Sequence, residues 1–332
     1  MELREQDFLV QTSKGLYCPF ADFYLDPKRA VDTAVISHAH ADHAVAGHRQ
    51  VYCTAPTEAM LRYRYKNRAG ILFSTPPWGE AFMIKDVAIS FFPAGHILGS
   101  AQVLMEYKSQ RWLYTGDFKL QSDASCEPFE FVKADVLVTE CTFGDVAVEH
   151  AEPEKEIEKL SSTGSDTGGS TSSTSSDTGS NILLGAYVIG KAQHITSLIS
   201  THCPDKQILI HPDIIPFHRI YEKYGINSWK WQPFNRSEWK RNKNCVYIVP
   251  PAVFRSYTKT PDVLTAFPSG WDKLQTQCDI RLMISDHADW KQLLLLLEKV
   301  SPNLVYTLHG DGTQLKKYCV AKGIGVGEMV VG

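Results

Sequence analysis

The segment Ser37-His38-Ala39-His40-Ala41-Asp42-His43 constrains this chain more than any other. It follows the apolar, β-branched run Thr33-Ala34-Val35-Ile36, which reads as a buried strand ending in a loop. Near-extended backbone alternates its side chains, so His38 and His40 face the same way. A turn after them can carry Asp42 and His43 to a second point a few Å away. Imidazole and carboxylate suit Zn²⁺ and similar divalent ions. Ligands this close together cannot all serve one tetrahedral ion without strain. Two adjacent ions are the more natural reading, and such pairs, about 3.5–4 Å apart, are suited to hydrolysing phosphate esters.

Composition sets the frame. The 332 residues are 43% hydrophobic and 21% charged with a net charge of −3, a globular composition with no overall basic character. A nuclease of this charge needs local basic patches. Eight cysteines are scattered without a CxxC pair, which fits reduced thiols in a cytoplasmic protein. The N-terminus lacks an apolar signal region, and no apolar run approaches about 18 residues, so no membrane partner is expected.

Strand after strand ends in a residue that can bind metal or move a proton. Phe23 to Leu25 ends at Asp26, and Val87 to Phe92 leads to His96. Trp112 to Tyr114 leads to Asp117, and Val136 to Val138 leads to Glu140. Ile280 to Ile284 ends near His287, and Leu304 to Leu308 ends at His309. Function collects where rigid elements hand over to loops. His96 lies between glycines that permit a tight ligand loop. Asp117 offers two carboxylate oxygens, enough to bridge a pair of cations. Residues 161–180 are Ser-, Thr- and Gly-rich with no apolar side chain, and read as a flexible linker. A strand at Asn181 to Tyr187, a helix opening at Gly190, and strands at Gln207 to Ile210 and Tyr247 to Val249 form a small α/β unit.

The series Asp26, HAHADH, His96 and Asp117 resembles the four motifs of the metallo-β-lactamase fold. Glu140 in ECTFG, His287 in SDHAD and His309 in LHGD resemble motifs A, B and C of the β-CASP nuclease branch, and GAYVIGKAQHI resembles the opening of its cap. The chain is most similar to short bacterial DNA-ligase-associated exonucleases. The resemblance implies an α/β fold, an αββα sandwich with an inserted cap. Its boundaries are residues 1–150 and 269–332 for the sandwich, 151–180 for a helix start and linker, and 181–268 for the cap.

The implied cofactors are two Zn²⁺, with Mn²⁺ as a substitute. His38, His40 and His96 hold one, Asp42, His43 and His309 the other, and Asp117 bridges them. Asp26 orients a ligand from behind. His287, held by Glu140, protonates the leaving oxygen, so Asp42, Asp117, Glu140 and His287 carry the catalysis. The implied function is a DNA exonuclease in repair, associated with a DNA ligase and a helicase. RNA processing is the alternative, because His at the motif C position marks the RNA-acting eukaryotic relatives. Hydrolysis of a small ester, or a scaffold with a decayed site, fits less of the pattern. For nucleic-acid contact, Arg62, Arg64, Lys66 and Arg68 alternate with Tyr63 and Tyr65, and Lys191 opens a helix.

Overall fold

The computed structural model describes residues 8–162, 180–257 and 262–331. The chain divides into two compact units, one of residues 1–149 with 287–332 and one of residues 150–286. Most of the low-complexity segment lies outside the described residues.

The first unit contains two sheets. Strands β1 (Val10–Thr12), β2 (Gly15–Cys18), β3 (Phe23–Leu25), β4 (Thr33–Val35), β5 (His48–Tyr52) and β6 (Gly70–Ser74) pair in sequence order. Helix α1 (Ala55–Tyr65) connects the last two, and Thr54 caps it by accepting from the Thr57 amide. The second sheet begins with β7 (Phe82–Ile84), β8 (Val87–Pro93), β9 (Ala101–Tyr107) and β10 (Gln110–Tyr114), all antiparallel, followed by parallel β11 (Val136–Glu140).

Alternation along the second sheet's strands explains its two faces. Val103, Met105, Trp112, Tyr114, Val136 and Val138 point inward, into one core with Phe23, Leu25 and Val35 of the first sheet. Their neighbours Leu104, Leu113 and Leu137 point outward into a different core.

The second unit starts with α2 (Pro153–Ser162). A parallel sheet follows, made of β12 (Asn181–Gly185), β13 (Gln207–Ile210), β14 (Gln232–Pro233), β15 (Cys245–Val249) and β16 (Val263–Ala266). Helices α3 (Lys191–His202), α4 (Ile215–Lys223), α5 (Arg236–Arg241) and α6 (Pro251–Arg255) link its strands. This unit extends beyond the expected 181–268. Ile157 and Leu160 of α2 share its core with Ile182, Ile208 and Val246, as do Ile280, Leu282 and Ile284. The Met283 amide also donates to Glu156 of α2 at 2.7 Å. Residues 280–284 do not form the expected strand; a single bridge joins Ile280 to Ala266.

The chain then completes the first unit. Helix α7 (Trp290–Val300) is capped by Asp289. Strand β17 (Leu304–Leu308) lies parallel to β11, α8 (Thr313–Ala321) follows, and β18 (Gly325–Val326) ends the sheet. Leu293, Leu296 and Leu297 of α7 and Leu315 of α8 cover the outward face of the second sheet. Leu61 of α1 packs with Ala34, Ile36 and Val51 on the outward face of the first. Helix, sheet, sheet and helix therefore form four layers within this unit, the expected sandwich.

Candidate metal centre

The site is assembled where strands of the first unit end. The turn after β4 folds back, with the His43 and Ala44 amides both donating to the His40 carbonyl. That turn brings the His43 ring to 4.2 Å from the His38 ring, centroid to centroid. His96 comes from the loop between β8 and β9. Gly95 before it has a φ of +71°, and a Cβ there would lie 2.3 Å from the Lys119 carbonyl oxygen, so the loop requires glycine. The Ser100 hydroxyl accepts the His96 amide at 3.1 Å and closes the loop.

Asp117 is the hub. One of its oxygens, Oδ2, lies 3.6 Å from His38 Nε2 and 3.8 Å from His96 Nε2. The other, Oδ1, lies 3.3 Å from His43 Nε2. Ligand atoms of His38, His40, His96 and Asp117 form one group close enough to hold a cation, and those of His43, Asp117 and His309 form another. The two oxygens thus face two different sets of rings.

The ionisable groups of the cluster act strongly on one another's charge. Burial and the neighbouring His43 hold His38 well below the ordinary histidine value. Burial also opposes charge on His43, but Asp117 and Asp26 outweigh it and hold that ring well above the ordinary value. Burial disfavours the Asp117 carboxylate, yet His43, His287 and His38 overcome it and keep the acid well below the usual range. His38 Nε2 and His43 Nε2 are buried with no hydrogen-bond partner. Buried nitrogens without partners are costly, and two aimed at a buried carboxylate fit a divalent ion.

Asp26 sits behind the rings with a left-handed φ of 40°, a conformation that concentrates at functional positions. It accepts from His43 Nδ1 at 2.8 Å, which leaves Nε2 for the site. On the other side, Glu140 is buried and meets His287 Nδ1 at 2.9 and 3.0 Å. The Phe118 amide donates to Glu140 at 2.9 Å and the Thr142 hydroxyl at 2.5 Å, so the carboxylate cannot turn away. His287 is partly exposed, and its ring lies 5.0 Å from that of His96.

Two expectations are not met. Asp42 does not join the group of His43, Asp117 and His309. It is exposed, with its carboxylate 3.9 Å from His43 Nε2. Lys191 is not a surface contact for phosphate. It is buried, its ammonium 2.9 Å from Asp286 Oδ1 and donating to the Ile284 carbonyl at 2.7 Å.

The cationic run after residue 61 is mixed. Arg62, Lys66 and Arg68 are exposed, but Arg62 pairs with Glu58 at 2.6 Å and lies over the Phe73 ring. Arg64 is half-buried. The Tyr65 hydroxyl donates to the Ala44 carbonyl and its ring is partly buried against the core, whereas Tyr63 is exposed.

The sequence reading missed Ser37 and Tyr114, which hold Asp26, and Cys141. The Cys141 thiol, pushed up to about 11 mainly by burial, stays protonated and donates to the His309 carbonyl. Ser37 opens the His-rich segment and Tyr114 stands just before Thr-Gly-Asp, so adjacency to a ligand motif was the available signal.

Residues 7–166 match the family model of the beta-lactamase superfamily domain. The chain carries a metallo-β-lactamase superfamily domain. A protein of Opitutus terrae named probable DNA ligase is 32% identical over 325 residues, covering 95% of this chain and 30% of that protein. An RNase J-like protein of Methanocaldococcus jannaschii is 26% identical over 52% of this chain and 44% of its own length. Endoribonuclease YSH1 of Mycosarcoma maydis is 29% identical over 55% of this chain and 23% of its own length. The chain thus spans less than half the length of each of these relatives. A crystal structure of a protein of unknown function from Enterococcus faecalis shares the fold, with a TM-score of 0.57 at 13% identity, over 90% of this chain and 78% of that one. Metallo-β-lactamase domains typically bind divalent cations, and this one has a His/Asp cluster able to hold them. Among the described residues, no helix is long and apolar enough to cross a membrane.

Proposed function

We propose that this protein is a two-metal phosphodiesterase that hydrolyses DNA from strand ends in a repair setting. The observation that carries the reading is Asp117, whose two oxygens face separate sets of imidazoles. In this reading His38, His40 and His96 would hold one zinc ion, His43 and His309 would hold the other, and Asp117 would serve both. Asp42, exposed and 3.9 Å from His43 Nε2, would be a further oxygen donor to that second ion. Mn²⁺ fits the same nitrogen and oxygen donors. A pair of divalent cations supplies charge neutralisation at the phosphate and water activated near neutral pH.

The chain's own residues do the rest. Glu140 fixes His287 through Nδ1, so Nε2 is the nitrogen that hands a proton to the leaving oxygen. Exposed Arg62, Lys66 and Arg68 offer phosphate contacts. The first unit is the metallo-β-lactamase domain and the second the β-CASP cap.

The Opitutus relative, matched over nearly all of this chain and named a probable DNA ligase, supports DNA and a functional link to end joining. RNA is the second reading, favoured by His309 beside His43 and by relatives named for ribonuclease activity. Digestion of end-labelled DNA and RNA, each with 5′-phosphate or 5′-hydroxyl ends, tests both. The expected result is a metal-dependent ladder from one end of DNA, absent in Asp117→Ala. Faster cleavage of RNA selects the second reading, and cleavage of neither overturns both.

A further inference from the structure

We infer that Ser37 and Tyr114 are positioning residues that couple the two halves of the metal centre through Asp26, an inference that rests on the two-metal reading above.

The hydrogen bonds behind the rings are directional. Asp26 Oδ1 accepts from the Ser37 amide at 2.7 Å. Its Oδ2 accepts from the Ser37 hydroxyl at 2.5 Å, the Tyr114 hydroxyl at 2.8 Å and His43 Nδ1 at 2.8 Å. A serine hydroxyl has one proton. Ser37 spends it on Asp26, so toward His38 Nδ1, 3.0 Å away, its oxygen can only accept. His38 must then carry its proton on Nδ1, and its Nε2 lone pair faces Asp117. His43 is oriented the same way, its Nδ1–H donated to Asp26. One carboxylate therefore orients a ligand in each half of the site: His38 through Ser37, and His43 directly.

Packing fixes this relay. Gly116 lies against Ser37, and a Cβ there would come within 2.8 Å of Ser37 Cβ and 2.9 Å of its hydroxyl oxygen. Ser37, Asp26 and Tyr114 are all buried. Asp26 and Ser37 follow β3 and β4 of the first sheet, whereas Tyr114 ends β10 of the second. The Tyr114 hydroxyl thus joins the two sheets directly behind the ligands. Loss of such supporting partners typically costs 10–100-fold in metal affinity.

The two donors have separable effects. Ser37→Ala frees both His38 and Asp26, so zinc affinity in both halves falls about tenfold or more. Tyr114→Phe loosens Asp26, which His43 meets directly and His38 only through Ser37, so the His43 half weakens more than the His38 half. The test uses the full chain with zinc alone, competed against a chelator. In parallel, ¹⁵N NMR of the metal-free protein reads the His38 tautomer. The wild type is expected to bind two equivalents and to show His38 protonated at Nδ1. Ser37→Ala should shift His38 to a tautomer mixture and weaken both equivalents. Tyr114→Phe should leave the His38 tautomer unchanged, because Ser37 still donates to Asp26, and should weaken the His43 equivalent more than the other. Asp26→Asn gives an independent arm: adding Tyr114→Phe to it should cost no further affinity. Unchanged affinities and an unmoved His38 tautomer in the single variants, or additive losses in the double, overturn the relay while the two-metal reading stands. A wild type that binds no zinc removes the two-metal reading itself.

Discussion

Replacing Asp117 with alanine should remove most of the zinc-linked stability of this protein. A ligand that binds only the folded chain stabilises it by RT ln(1 + [L]/Kd), about 2.7 kcal/mol at a hundredfold excess over Kd. Two such ions give roughly 5 kcal/mol. At about 2–4 °C per kcal/mol for a domain of this size, zinc should raise the wild-type midpoint by roughly 10–20 °C. Both ion positions depend on one carboxylate, because Oδ1 faces His43 and Oδ2 faces His38 and His96. Without it, the first group keeps three rings and the second only His43 and His309. The second position should empty and the first weaken, so the zinc-dependent shift should fall to less than half. The assay is thermal unfolding of chelator-treated protein, with and without a fixed excess of zinc. Each protein is compared with itself, so the intrinsic cost of deleting a buried carboxylate cancels. An equal zinc shift in the variant and the wild type would refute the bridging role of Asp117.

Other residues give sharper contrasts. Glu140→Gln should lower kcat about a hundredfold, with KM and zinc content unchanged, because it leaves His287 in place but less firmly held. Combining it with His287→Ala should cost little more than His287→Ala alone, since the two act as one unit; additive losses in steady-state kinetics would separate them. His309→Ala should lose one of two zinc equivalents by metal analysis, and retention of both would take His309 out of the ligand set. Lys191→Met should destabilise the fold by about 3–5 kcal/mol in denaturant unfolding, because Asp286 loses its buried counter-charge. The salt dependence of DNA binding by that variant should stay unchanged. Arg62→Ala with Arg68→Ala should reduce the magnitude of that salt slope by about two, and an unaltered slope would place nucleic acid elsewhere.

The parts of the site that the sequence made legible are those with short-range logic. His38, His40 and His43 are near neighbours whose spacing, after a β-branched run, already specifies a strand end and a turn. The helix at Trp290–Val300 was legible for the same reason, from its local run of leucines, although its Asp289 cap was not read. What stayed hidden depends on partners far along the chain. Lys191 reads as a phosphate-binding helix start until Asp286, which follows Ile284 near the end of the second unit, is seen to neutralise it. The segment 280–284 reads as a strand because its apolar residues alternate, yet they pack into the core of the second unit with a single bridge. Tyr114 looks like an ordinary core aromatic, and only the approach of the two sheets shows what its hydroxyl meets.

The most direct measurement is a crystal structure of the zinc-soaked protein with anomalous data collected at the zinc edge. The account predicts two peaks about 3.5–4 Å apart, one on each side of Asp117, with His309 directed at the peak beside His43. A single peak, no peak, or a His309 ring turned away from His43 would contradict it.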